Sequence, residues 1–97
     1  MELRKWKVFL AVVDYGSYTK AGEGLGYTQS GITQMMKSLE REVGFPLFHK
    51  GPHGVSLTRE GEILLPSVRS LFSANESLTQ EISFLKGAKK GTLKIGA

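Results

Sequence analysis

Several groups of residues in this sequence have types and spacings that could do chemistry, and most of them fail on context. Ser17, Tyr18, Thr19 and Lys20 reproduce the S-x-x-K spacing of acylated serine enzymes. No second or third signature of that chemistry follows, and Ser17 is better placed as a helix cap. Gly22, Gly24 and Gly26 have the density of a dinucleotide-binding loop, but no strand precedes them and their intervals are wrong. His49 and His53 are four apart, a metal-ligand spacing on a helix, yet Gly51 and Pro52 lie between them and forbid that helix. No carboxylate cluster and no nucleophile paired with a base is present. The expectation is a protein that is not an enzyme, with no catalytic residue, metal site or cofactor.

One group survives. Between Thr28 and Gly44 the residues Ser30, Thr33, Gln34, Lys37, Ser38 and Arg41 fall on one side of a helix, rich in hydrogen-bond donors and poor in acid. Such a face suits a nucleic-acid groove. Gln34, and Gln29 beside it, each match an adenine edge in bidentate fashion, and Lys37 can reach guanine or a phosphate. The alternative is an ordinary solvated helix surface. Met35, at the edge of the set, either touches a thymine methyl or marks the boundary of the core.

That helix must be held by its other side. Ile32, Met36, Leu39 and Val43 recur at steps of four, three and four, a narrow apolar stripe opposite the polar face. Thr28 can cap the first turn, and Gly44 can take the left-handed conformation that stops it. Upstream, Leu3, Trp6, Phe9, Leu10 and Val13 predict a first helix with those residues inward, ended by Tyr15 and Gly16. Ser17 opens a short second helix through Leu25, with Tyr18, Ala21 and Leu25 inward. Gly22 and Gly24 weaken that helix by up to ~1 kcal/mol each, so the backbones approach closely there or packing compensates. Gly26 and Tyr27 turn into the Thr28 helix, which completes a helix-turn-helix pattern.

Phe45 to Leu57, bent at Gly51, Pro52, His53 and Gly54, read as a two-stranded hairpin, and directly after a helix-turn-helix such a hairpin is a wing. Leu47, Phe48, Val55 and Leu57 would close the core. Lys50 and His53 stay near the tip, placed for phosphate contact. Thr58 caps a last helix, with Glu60 and Glu62 in the first turn where the helix dipole favours acid. Leu64, Val68, Leu71, Asn75, Leu78, Ile82 and Leu85 then alternate at four and three, a heptad seam that predicts pairing with another chain. Pro66 should kink the first turns or remove one hydrogen bond, and Gly87 supplies the stop. Asn75 either selects register and partner number or lies solvated at a frayed interface. Thr92, Leu93, Lys94 and Ile95 alternate like one strand, which cannot be a domain alone and points to a longer protein.

The chain has 97 residues and a formal charge of +4, which fits a small polyanion-binding domain that gains from a partner chain. No cysteine is present, in keeping with a reducing compartment. The apolar run Val8 to Val13 is far below the ~20 residues of a bilayer span and lacks a cleavage site. A soluble cytoplasmic protein with no membrane partner is expected. The predicted fold is mainly α: a winged helix-turn-helix over 1–58, a long C-terminal linker helix over 59–87 for dimerisation, and residues 88–97 opening a further domain.

Taken together, these residues resemble the N-terminal DNA-binding region of LysR-type transcriptional regulators. The resemblance runs through Phe9, Ala11 and Val12; Gly16 to Thr19 and Ala21; Leu25 and Thr28 to Ser30; Leu39, Glu40, Glu42 and Gly44. It continues through Leu47, Phe48, Gly54, Val55, Leu57, Thr58, Gly61 and Leu64 to Pro66, and ends on Gly91, Leu93, Ile95 and Gly96. It implies a second helix that enters the major groove of double-stranded DNA with Gln29, Ser30, Thr33, Gln34 and Lys37, and a wing-tip contact at His53. It further implies a homodimer or higher homo-oligomer on a pseudo-palindromic operator, built through Val68, Leu71, Asn75, Leu78, Ile82 and Leu85. A small-molecule effector would bind a domain absent from this chain. Three residues depart from the family's habit: His53 replaces a usual arginine, Gly31 a proline or alanine, and Met35 a polar residue. The competing class is a winged-helix protein-interaction module, which should show aromatic or aliphatic anchors on the third helix where this chain shows polar residues.

Overall fold

Hydroxyl side chains open three of the helices. Ser17 Oγ accepts from the Lys20 N–H at 3.2 Å, Thr28 Oγ1 from the Gly31 N–H at 3.0 Å, and Thr58 Oγ1 from the Gly61 N–H at 3.0 Å. Each satisfies a backbone donor that a first helical turn leaves free. The computed structural model describes the backbone of residues 3–95 and side chains as far as residue 87. In order, the elements are α1 (Leu3–Tyr15), α2 (Tyr18–Leu25), α3 (Gln29–Val43), β1 (Phe48–Gly51), β2 (Gly54–Leu57) and α4 (Arg59–Ile95).

The core forms where α1 is covered by its neighbours. Phe9, Val12, Ala21, Ile32, Leu39 and Leu47 are shut off from solvent, and Trp6, Val8, Tyr18, Met36, Phe48 and Val68 join them. The stripe expected on α1 needs correction. Val8 and Val12 are buried while Leu3 is exposed, because α1 touches α2, α3, α4 and β2 and so has more than one inner side. On α2, Leu25 is exposed and Gly22 takes the inner position. A Cβ at Gly22 would lie 2.7 Å from the Tyr27 carbonyl oxygen, so α2 meets the turn into α3 at backbone contact. Leu25, at the end of α2, lies beyond that closure.

The hairpin pairs Phe48 with Leu57 through Gly51 with Gly54, antiparallel, and leaves Pro52 and His53 as a two-residue turn. Its base is fixed from two directions. Val55 N–H donates to the Gly16 carbonyl at 3.1 Å, and Thr58 N–H to the Leu47 carbonyl at 2.9 Å. Gly54 has φ +123, and a side chain there would collide with the Gly16 carbonyl oxygen. The wing is therefore anchored to the α1–α2 turn.

On α4, Gly61 and Val68 are buried and Leu65 and Phe72 half-buried, a spacing of four, three and four that docks the first half of the helix on the domain, Gly61 against Leu47 and Leu57 of the wing. Val68 thus belongs to the chain's own core, at 6% exposure, and is corrected from the predicted interchain seam. Leu71, Asn75, Leu78, Ile82 and Leu85 remain exposed. Pro66 sits inside α4 without breaking it. The predicted stop at Gly87 and strand over 92–95 are also corrected, because α4 runs to Ile95. A helix satisfies its own backbone groups without a partner edge, so α4 needs no neighbouring strand to continue through this segment. At ~1.5 Å per residue this helix is ~55 Å long, close to the 60 Å longest extent of the molecule.

Candidate nucleic-acid interface

The exposed face of α3 follows from what the opposite face buries. With Ile32, Met36 and Leu39 in the core, Gln29, Ser30, Gln34, Lys37 and Arg41 point to solvent and Thr33 is half-buried beside them. Ser30 Oγ stands 3.5 Å from Thr28 Oγ1, next to the cap. Met35 is half-buried against the core, which favours its boundary role. Ser38 requires correction: it is half-buried and accepts a 2.7 Å hydrogen bond from Lys5 Nζ, so it is not free to meet a groove.

The acids of α3 were not assigned a role from sequence, and they decide the charge of this face. Glu40 Oε2 accepts from the Leu47 N–H at 2.7 Å and the Phe48 N–H at 3.2 Å, which holds the entry to β1 against α3. Glu42 Oε2 pairs with Lys5 Nζ at 2.6 Å. The hydrogen bond from Lys5 holds the Glu42 carboxyl below its ordinary pKa. Both carboxylates of α3 are therefore engaged elsewhere. Among the described residues the ion pairs are Lys5–Glu42 and Arg69–Asp14, so Lys37, Arg41 and Lys50 have no carboxylate within 4.0 Å. No signal in the sequence marks the Lys5–Glu42 pair, whose members are 37 residues apart.

The wing presents Lys50, His53 and His49 to solvent. The alternation of β1 puts Phe48 and Lys50 on the same side, and Lys50 Nζ lies 5.2 Å from the centre of the Tyr18 ring. That ring meets Phe48 edge-on at 5.9 Å and 84°, and Phe48 leans on Phe9 at 5.3 Å. Burial first, and the nearby Glu40 carboxylate second, push the Tyr18 hydroxyl up to about 12. Among the described residues no group of histidines and acids could hold a metal ion, and no helix is long and apolar enough to cross a membrane. Ser17, the apparent nucleophile, caps α2.

Two helices at a glycine turn, a third-helix face of unpaired donors and a following two-stranded hairpin define a winged helix-turn-helix. The comparisons agree. The sequence pattern of the bacterial regulatory helix-turn-helix proteins of the lysR family matches residues 3–62. The HTH-type transcriptional activator CmpR of Synechocystis sp. is 36% identical over 93 residues, 96% of this chain and 31% of that protein. The HTH-type transcriptional regulator YtlI of Bacillus subtilis is 38% identical over 96 residues, 99% of this chain and 31% of that protein. Among solved structures, the BenM DNA-binding domain with catB site 1 DNA matches at a TM-score of 0.84 and 30% identity, covering 89% of this chain and 97% of that one. The CbnR DNA-binding domain–DNA complex matches at 0.77 and 30%, covering 88% and 99%. The chain belongs to the lysR family of bacterial regulatory helix-turn-helix proteins, and it spans just under a third, 31%, of the length of these curated relatives.

Proposed function

We propose that this chain is the DNA-binding part of a transcription regulator that binds a pseudo-palindromic double-stranded operator as a dimer. The observation that carries the reading is the engagement of Glu40 and Glu42 away from the exposed face of α3. It leaves Gln29, Ser30, Thr33, Gln34 and Lys37 on a face of donors and cations whose neighbouring carboxylates, Glu40 and Glu42, are already engaged. An acidic groove wall attracts such a face, and a protein partner would want apolar anchors there. Lys50 and His53 on the wing extend the contact to the backbone. The BenM and CbnR DNA-binding domains, solved as DNA complexes, support the same reading.

Dimerisation runs through α4 by way of Leu71, Asn75, Leu78, Ile82 and Leu85, whose exposed apolar members would otherwise line an uncovered stripe. Two copies related by a two-fold axis read two half-sites, which is why the operator is pseudo-palindromic. A small-molecule effector acts through a part of the protein outside this chain. The regulator works in the bacterial cytoplasm, where its DNA is, and its role is regulatory rather than enzymatic.

Fluorescence anisotropy with random duplex DNA at 50 and 200 mM salt tests the reading. Lys37 and Lys50 on both protomers make about four phosphate contacts, for which affinity falls about 100-fold over that salt range. Selection from a random pool then returns a two-fold symmetric site. A folded, dimeric chain that binds no DNA at low salt overturns the reading in favour of a protein-interaction module.

A further inference from the structure

The wing carries a cation whose position is set by a residue that is not on the wing. Lysine has four rotatable side-chain bonds, and an exposed lysine on a hairpin ordinarily samples many rotamers. Among the described residues Lys50 has no carboxylate within ion-pair distance, yet its Nζ lies over the Tyr18 ring at 5.2 Å, inside the ~6 Å range of a cation–π contact. The ring is a fixed platform. Tyr18 is the first residue of α2, is itself buried, and stands edge-on to Phe48, which continues through Phe9 to Trp6. Hence the rigid core, through Tyr18, sets where the ammonium sits relative to α2, which lies beside α3.

We propose that Tyr18 is a positioning residue for DNA binding: its ring holds the ammonium of Lys50, near the tip of the wing, pre-ordered to take one phosphate of the duplex backbone. The inference rests on the DNA-binding reading above. A pre-ordered cation loses less side-chain entropy when it meets its phosphate, so the ring contributes to affinity without touching DNA. The contribution is independent of base sequence, because a phosphate looks the same at every step.

The first test needs no DNA. In the free protein the Hε protons of Lys50 shift upfield in the NMR spectrum from the ring current, and Tyr18→Leu returns them to the position of an exposed lysine. The second measures affinity for random and operator duplex at fixed salt. Tyr18→Phe keeps the ring and binds as the wild type does; phenylalanines of rising fluorine content at position 18 keep the shape while the ring quadrupole fades, and weaken binding stepwise by up to about threefold. Lys50→Ala removes one phosphate contact per protomer and lowers the salt slope of the dimer by about 2, and in that background the fluorinated rings change nothing further. Because fluorination alters charge distribution more than volume, a merely structural Tyr18 would leave affinity flat across the series.

An absent ring-current shift, a flat fluorine series, or equal losses with and without Lys50 overturns the proposal while DNA binding stands. Absence of DNA binding by the wild type with the shift present overturns the DNA-binding reading and the proposal's function together.

Discussion

Replacing Glu40 tests whether one carboxylate joins the third helix to the wing. Its Oε2 accepts from two adjacent backbone donors, Leu47 N–H at 2.7 Å and Phe48 N–H at 3.2 Å, at the entry to β1. Both residues are buried, Leu47 completely. Glu40→Ala therefore leaves backbone donors in a region that water reaches poorly. A hydrogen bond to a charged acceptor contributes about 1.5–3 kcal/mol, and the second bond here is long. The expected loss is about 3 kcal/mol, or a fall in Tm of roughly 12–24 °C for a domain of this size. Glu40→Gln retains an oxygen that can accept from both donors but removes the charge, so it should lose only about 1 kcal/mol. Urea unfolding at neutral pH measures both. If the alanine variant loses under about 1 kcal/mol, or the two variants lose alike, the carboxylate does not hold the wing as the distances indicate.

Other expectations follow from single sites. Gly54→Ala combines a left-handed φ of +123 with a side chain driven into the Gly16 carbonyl, and should lower stability by about 2–3 kcal/mol in urea unfolding; a loss within 0.5 kcal/mol would show that the wing can move off the α1–α2 turn at little cost. Gln34→Ala should cost ~1–3 kcal/mol on the preferred DNA site and little on random DNA, whereas Lys50→Ala should weaken both alike; equal losses on both DNAs from both changes would refute that division between base reading and phosphate contact. Tyr18, with a folded pKa of about 12 against an ordinary 10.0, favours folding through its neutral form. That contribution is complete below pH 10 and is lost as pH rises through 12, so absorbance at 295 nm should show a late ionisation coincident with destabilisation, and Tyr18→Phe should remove it.

How legible each part was depended on the range of the interactions behind it. Caps were readable because a cap is local: Ser17, Thr28 and Thr58 each lie three residues before the N–H they accept from. The hairpin was readable from Gly51, Pro52 and Gly54, and the stripe of α3 from its spacing. The inner side of α1 was not. Its stripe assumed one covered face, and the folded chain covers α1 with α2, α3, α4 and β2, which brings Val8 and Val12 inward and leaves Leu3 out. The seam of α4 failed at Val68 for a related reason. Spacings of three and four describe packing on the chain's own domain as well as on another helix, and only the fold shows that Val68 does the first. The alternation over 92–95 misled because four residues are too few to separate a strand from the end of a long helix, and the segment is helical.

The exposure of Gln34, Lys37 and Arg41 on α3 was readable from spacing, but the engagement of Ser38 and of the acids was not. Sequence alone placed Glu40 and Glu42 on the same helix as Lys37 and Arg41, and nothing within those residues says that the acids are already engaged. They are, because Glu40 meets the N–H groups of Leu47 and Phe48, and Glu42 meets Lys5, 37 residues away. The same contacts carry structural duties: one fixes the approach to the wing and the other ties α1 to α3. A face suited to a polyanion thus arises as a consequence of how the domain is held together. Loss of either contact would therefore act on binding twice, by releasing an acid and by loosening an element that presents the cations. For Lys5→Ala, the freed Glu42 carboxylate is exposed and screened by salt, so any binding defect from its charge should shrink as ionic strength rises. A defect from misplacement of α1 against α3 would persist, and the salt dependence separates the two.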